Sequence, residues 1–329
     1  MGINLLSIEP HKVSTDLSGY ITFIYGPAKV GKTTFGSQMP DALCLAFERG
    51  YNAIPGIIAQ DITSWGEMKQ VVRELKKPEV RARFKSLVID TVDIASDLCQ
   101  KYLCNQLGID NIGDGGWAVN GWAKYKKEFE ETFRTLAQLG YAIVFLSHDK
   151  DKTIKLQNGF EYNQTGSSVQ SSALTIIENM SDIIGYAHPK VNPDNTSSVV
   201  LTLRSRDNSV RCGCRFQYID EEIPFSYKEL EKALNKAIEK EANLHNNKYV
   251  TEERNAAIEE KIYDYESLMA KFSDLVGELM IKDSAYYQPR ITQIVDKYLG
   301  KGKKVSEATI DQAEFIYLII EEIKDELVK

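Results

Sequence analysis

The 329-residue sequence has no apolar run that approaches membrane-spanning length. Its longest, around Ala142–Leu146, suffices only for a buried strand. The opening Met1-Gly2-Ile3-Asn4-Leu5-Leu6 lacks the charged n-region of a secretory signal and the Ser/Thr that a myristoylation site wants. Histidine is scarce, with four residues, and the five cysteines (Cys44, Cys99, Cys104, Cys212, Cys214) contain no Cys-x-x-Cys pair. Cys212-Gly213-Cys214 could place two thiols on one strand face, but histidine partners are missing nearby, which argues against a metal cluster. Buried reduced thiols in a cytoplasmic protein without a membrane partner are the expectation. An excess of positive charge is missing as well. The net charge is −7, and residues 228–329, with 16 basic and 21 acidic residues, hold most of it. A generic polyanion coat is thereby excluded, whereas nucleic acid is not, because a local basic groove suffices.

Against these absences stands one dense motif. Gly26-Pro27-Ala28-Lys29-Val30-Gly31-Lys32-Thr33 fits G-x-x-x-x-G-K-[ST]. The aromatic and β-branched run Tyr20–Tyr25 before it reads as a buried strand, and Thr33–Met39 after it as a short helix closed by Pro40. Backbone N–H groups of such a loop, at the positive end of a helix, cradle phosphates. Residues 26–34, from Gly26 to Thr34, are therefore the candidate nucleotide-binding segment, with Lys32 reaching the β/γ-phosphates of ATP and Thr33 ligating Mg²⁺. Chance would produce the four fixed positions in roughly one such chain in a hundred.

Further along, Ala42–Phe47 is a strand-length apolar run ending at Glu48. Parallel strands buried on both faces read this way, and their carboxyl ends form the ligand edge. Glu48 is either a site carboxylate or a solvated charge at a strand end. Residues 64–83 have a helical apolar face. Ser86–Thr91 is a hydrophobic strand carrying Asp90 at its tip, where a second Mg²⁺-side carboxylate belongs. A helix over 92–107 leads into the Gly-rich stretch Gly108–Gly121 with Trp117 and Trp122. That stretch is either a mobile binding loop or a packed Ω-loop burying both tryptophans. A helix over Ala123–Leu139 and a strand over Tyr141–Leu146 follow, ending in Ser147-His148-Asp149. At a strand tip on the ligand edge, His148 is either a γ-phosphate or water sensor or a structural histidine. The polar segment Asp149–Ser172 carries Lys150, Lys152 and Lys155 with Phe160 and Tyr162. It suits a single-stranded backbone, or else is a linker or β-hairpin. Val199–Arg206 alternates like a strand leaving the core. From Tyr227 the chain turns helical and charged, with a seam over Ile258, Ile262, Tyr265, Met269, Phe272, Val276 and Leu279 and a break at Asp283–Gln288. Ile291–Leu299 forms a short helix, and a last helix capped by Ser306 runs to Leu327.

In this order, the Gly26–Thr33 loop, the strand ending at Glu48, Leu87-Val88-Ile89-Asp90-Thr91 and Val144-Phe145-Leu146-Ser147-His148 resemble the RecA-type P-loop ATPase core. Within that class the chain is similar to phage-encoded ATPases made of a bare RecA core, some of which act in single-strand annealing and recombination. The likeness spans roughly Gly19–Arg215. It implies an α/β fold with a mainly parallel sheet over residues 1–227 and leaves a C-terminal helical region over 228–329. The implied site comprises Lys32, Glu48 (orienting the attacking water), Asp90 and His148 (sensing the γ-phosphate). It also implies Mg²⁺ held by Thr33 and Asp90, and DNA contacts from Trp117, Trp122, Lys150, Lys152 and Lys155. Arg204 or Arg206 would reach a neighbour's nucleotide on self-association into a ring or filament. Single-stranded DNA and a single-strand binding protein are the implied partners, in a host-cell cytoplasm. A helicase-like or helicase-loading motor and a non-enzymatic nucleotide switch share the same core and remain open as readings.

Overall fold

A computed structural model describes residues 5–156, 159–244, 246, 249–254 and 263–327. The chain separates into two compact units, one spanning Pro10–Glu259 and one built around Glu260–Lys329.

The first unit is organised by a nine-stranded sheet. Its strands run, in spatial order, Glu222–Pro224, Ser197–Thr202, Ile183–Val191, Thr22–Tyr25, Ala142–Ser147, Ser86–Asp90, Ala42–Ala46 and Ala59–Asp61, with Gly213–Cys214 pairing to Ile183–Val191 off this path. The six strands from Ile183–Val191 to Ala59–Asp61 are mutually parallel, and the remainder pair antiparallel at one side. Successive residues of the central strands enter opposite cores. Phe23, Tyr25, Leu87, Ile89, Ile143 and Phe145 share one cluster, while Ile24, Val88, Val144 and Leu146 share the other. Both faces are covered, so these strands have continuous apolar sequences in place of an alternation.

On the first face lie the helices Trp65–Leu75, Val92–Leu107, Gly121–Gln138 and Ser171–Met180. Trp65 stacks on Phe129 at 5.9 Å, Phe129 meets Phe133 edge-on at 4.9 Å, and Phe133 meets Phe145 of the sheet at 5.0 Å. Burying each such side chain contributes about 1.5–3 kcal/mol. The indole Nε1–H of Trp65 donates to Glu128 at 2.9 Å, which satisfies its one polar atom. The second face takes the short helix Lys32–Ser37 through Phe35, and the helix Tyr227–Leu244 through Leu230, Ala233, Leu234 and Ala237.

That last helix departs from the sequence expectation, which assigned it to the appendage. Its stripe at i, i+3, i+4 and i+7 reads the same whether it packs on a sheet or on another helix. A parallel pairing of Val13–Ser14 with Val250–Thr251 ties the following segment to the same unit. Other differences are local. The helical stretch 64–83 is two helices, Trp65–Leu75 and Pro78–Arg83, with Pro78 opening the second. The strand Ile183–Val191, beside the phosphate-loop strand, was not anticipated; its Gly185 and Pro189 dilute the strand pattern. Residues 149–167 form a β-hairpin, Asp149–Lys155 with Glu161–Ser167.

In the second unit the helix Tyr265–Leu299 is broken at Asp283 (φ −162°, ψ 91°), whose carboxylate caps the next segment by accepting from Tyr286 N at 3.0 Å. Leu268, Leu279, Ile291, Ile294 and Val295 pack with Ile316, Ile319, Ile320 and Ile323 of the helix Ala313–Leu327. That final helix begins at Ala313, later than expected, because Val305–Glu307 and Ile310–Gln312 are 3₁₀ turns, the second capped by Thr309. Of the anticipated seam, Ile258 and Ile262 lie outside the described residues.

Candidate nucleotide site

The loop Gly26–Gly31 leaves the strand Thr22–Tyr25 and enters the helix Lys32–Ser37. Its shape needs glycine at both ends. A Cβ on Gly26 would lie 2.1 Å from the carbonyl oxygen of Ala187. Gly31 has φ +103°, a left-handed value that side chains disfavour. Gly26 N donates to Ser147 O at 3.2 Å, so the loop is fastened to the neighbouring strand tip. The Lys32 ammonium lies across the loop, 2.8 Å from the carbonyl oxygens of both Gly26 and Pro27.

Parallel register brings the other candidates to this edge. Tyr25 pairs with Ser147, Leu146 with Asp90, and Asp90 with Ala46, so four strands end together. Thr33 Oγ1 donates to Asp90 Oδ2 at 2.7 Å. Phe47 N and Glu48 N both donate to Asp90 O, at 2.7 and 3.2 Å, which fixes Glu48 beside the aspartate. His148 Nε2 stands 3.7 Å from Glu48 Oε1. The structure thus gathers Lys32, Thr33, Glu48, Asp90 and His148 at one sheet edge.

The electrostatics are those of a site short of positive charge. Burial lowers the pKa of Lys32, against the opposing pull of Asp90, Asp149, Glu48 and Asp93. Burial also raises Asp90 above the usual carboxylate range, opposed by the Thr33 hydrogen bond, and Glu48 adds to the rise. Lys32 is thus set against four carboxylates, Asp90, Asp149, Glu48 and Asp93. The residues fit Mg²⁺. Thr33 and Asp90 offer hard oxygen ligands. A Cβ on Gly50 would come within 3.1 Å of Thr33 Oγ1 and 3.4 Å of Asp90 Oδ2, so glycine there keeps the space over both oxygens open.

Asp93, the alternative acid to Glu48 on sequence grounds, lies in a hydrogen-bond cluster that the sequence does not show. Asp93, in the first turn of the helix Val92–Leu107, accepts from Ser147 Oγ at 3.1 Å, from His148 N at 3.4 Å and from Ser168 Oγ. The signal available was its spacing, three residues after Asp90 at the start of a helix.

The DNA candidates divide. Trp117 is 96% exposed, whereas Trp122 is 38% exposed and packs edge-on against Tyr125 at 6.0 Å. On the hairpin, Lys150 and Lys152 alternate with Asp149, Asp151 and Thr153. Lys150 and Lys152 share a face with Tyr162 and Gln164, and Lys155 belongs to the opposite face, where it pairs with Glu161 at 2.7 Å. Arg204 donates to the carbonyls of Phe216 and Gln217, at 2.7 and 3.0 Å, while its Nε is buried without a partner. Arg206 is exposed and bridged to Glu221 at 2.6 Å.

The six-stranded parallel core and this loop–hydroxyl–carboxylate edge define a P-loop ATPase-type domain. A family model described as an AAA domain (AAA_24) matches residues 18–211, more than half of the sequence, and the chain belongs to that family. It is similar to the SPbeta prophage-derived uncharacterized protein YorG of Bacillus subtilis (strain 168), with 29% identity over 334 residues covering 99% of each chain. Among solved structures it is similar to the flagellar accessory protein FlaH of Methanocaldococcus jannaschii, with 10% identity and a TM-score of 0.33 over 63% of this chain and 85% of that one. No helix among the described residues is long and apolar enough to cross a membrane.

Proposed function

We propose that the protein is an ATPase that couples nucleotide turnover to single-stranded DNA, in recombination or annealing. The observation that carries the reading is the convergence of Lys32, Thr33–Asp90 and Glu48–His148 on one edge, with the hairpin Asp149–Ser167 starting directly from His148.

Chemically, phosphoryl transfer to water needs positioning and charge neutralisation more than covalent help. The loop N–H groups and Lys32 bind the β- and γ-phosphates. Thr33 and Asp90 are the residues that would hold Mg²⁺, which when bound would neutralise phosphate charge. Glu48, tied to Asp90 through its backbone, orients the attacking water and accepts its proton. His148, within reach of Glu48, contacts the γ-phosphate side and lets the state of the site be felt at the hairpin. For DNA, Lys150 and Lys152 provide phosphate contacts and Trp117 a stacking surface. Self-association into a ring or filament would present the exposed Arg206 to a neighbour's nucleotide more readily than Arg204, whose guanidinium is committed to its own loop.

The test is ATP hydrolysis with and without single-stranded DNA, on the wild type and Lys32→Ala. Stimulation by DNA in the wild type, and no turnover in the variant, supports the reading. Steady hydrolysis that ignores DNA, with no DNA binding at low salt, would instead favour a nucleotide switch acting on protein partners through the C-terminal helical region.

A further inference from the structure

Asp93 touches two pieces of chain, through three donors, with one carboxylate. Its Oδ1 accepts from Ser147 Oγ at 3.1 Å and from Ser168 Oγ, and its Oδ2 accepts from His148 N at 3.4 Å. Ser147 and His148 end the strand at the γ-phosphate edge; Ser168 follows the last residue of the hairpin. A backbone bond from Ser168 N to His148 O, at 2.9 Å, closes the loop of contacts. No lysine or arginine hydrogen-bonds or ion-pairs with Asp93 among the contacts seen in the described residues, so its three donors are two hydroxyls and one amide.

The cluster also contains a choice. Ser147 Oγ has three oxygens within reach: Asp93 Oδ1 at 3.1 Å, His148 O at 3.0 Å and Ser167 Oγ at 2.7 Å. A serine hydroxyl carries one proton, so it donates to one of these at a time. Ser147 and Ser167 are fully buried, so the choice lies among these discrete acceptors. A shift of the His148 backbone changes which acceptor is best placed, and Ser167 and Ser168 sit at the base of the hairpin.

We propose that Asp93 is a positioning residue. It holds the His148 backbone and the hairpin base on one carboxylate, so that the nucleotide state of the site sets the order of the hairpin. This rests on the nucleotide reading above, and it does not require that DNA be the hairpin's partner. Two discrete hydrogen-bond arrangements, biased by the nucleotide at one end and by the hairpin at the other, are what such coupling requires.

The test measures amide hydrogen exchange in Asp149–Lys155 and Glu161–Ser167, using the full chain with Mg²⁺ and either a non-hydrolysable ATP analogue or ADP. Wild type is compared with Asp93→Asn, which removes the charge and turns one of the two accepting oxygens into a donating NH₂, and with Ser168→Ala, which removes only an exposed hydroxyl. The wild-type hairpin should exchange several-fold more slowly with the analogue than with ADP. Both variants should lose most of that difference while binding the analogue within about threefold of wild type. Ser168→Ala keeps the experiment decisive should Asp93→Asn fail to fold. A difference that survives in Ser168→Ala, or that is missing in a wild type that binds the analogue, overturns the role of Asp93 alone. Failure of the wild type to bind the analogue overturns the nucleotide reading and this inference with it.

Discussion

The phosphate edge and the hairpin beside it use the same residue types to opposite effect. At the edge, Lys32 is 6% exposed and Asp90 1%; the ammonium donates to the carbonyls of Gly26 and Pro27, and Asp90 Oδ2 accepts from Thr33. Burying a charge is expensive unless it is paired, so such an arrangement persists only where the fold is built around it. On the hairpin the lysines are solvated and interleaved with Asp149, Asp151 and Glu161. Solvated charges can be rearranged with little effect on the fold, so their presence alone says little about purpose. The contrast ranks the residues by how strongly the structure commits to them.

The largest effect should come from Lys32→Ala. On the proposed reading it removes the cation for the β/γ-phosphates, and turnover should fall to background with nucleotide affinity, while circular dichroism stays that of a folded chain. Full turnover in that variant would break the comparison at its firmest point. Glu48→Gln should leave nucleotide binding intact and lower hydrolysis by about 10²–10⁴, the scale of a lost general base. Single-turnover rates with measured affinity separate the two effects; wild-type rates would reduce Glu48 to a strand-end charge.

Asp90 ties the site to pH. Its pKa is raised by burial, so the folded state holds its proton to higher pH than the unfolded chain does. Its contribution to stability is therefore present at low pH and is lost as pH rises through the folded value. Above that folded value the ionised carboxylate burdens the nucleotide-free fold, and there Asp90→Asn should raise its melting temperature while weakening Mg²⁺-dependent binding. Since a metal ligand must be ionised, Mg²⁺-dependent nucleotide affinity in the wild type should decline on acidification sooner than an ordinary aspartate would dictate. Titrations at several pH values, with and without Mg²⁺, check both signs.

The ranking also explains what could be read in the sequence. A phosphate loop is coded by residues that the backbone cannot do without: glycine where a Cβ would strike Ala187 O, glycine again at φ +103°, then lysine and a hydroxyl. Strands buried on both faces announce themselves as apolar runs, so Glu48, Asp90 and His148 could be placed at strand tips. The same logic fails where pairing is decided by distant segments. Ile183–Val191 is interrupted by Gly185 and Pro189, and it is a strand through its pairing with the phosphate-loop strand on one side and with Ser197–Thr202 and Gly213–Cys214 on the other. Tyr227–Leu244 has an amphipathic stripe that does not name its partner. The Asp93 cluster joins residues more than fifty positions apart through serines, which carry no periodic signal.

Among the DNA candidates, Trp117→Ala should weaken single-strand binding by about 1–3 kcal/mol, the worth of one stacked base. Trp122→Ala should do less to binding and more to stability, because its ring packs on Tyr125. Intrinsic fluorescence on adding oligonucleotide follows the exposed indole directly.

The smallest effect, and the sharpest test of the hairpin, lies in the salt dependence of binding. Lys150 and Lys152 stand on one face, and Lys155 on the other in a pair with Glu161 at 2.7 Å. A phosphate contact with a single strand contributes about 0.7 to the slope of log K against log salt. Lys150→Ala and Lys152→Ala should each flatten the slope by roughly that amount, and together by about twice it. Lys155→Ala should leave the slope unchanged, because a lysine already held by a carboxylate releases no counterion from DNA. Equal effects at all three positions would mean that the hairpin opens to present both faces. No effect at any of them would remove the hairpin from DNA binding and leave Trp117 and the Gly108–Gly121 segment as the contact to pursue.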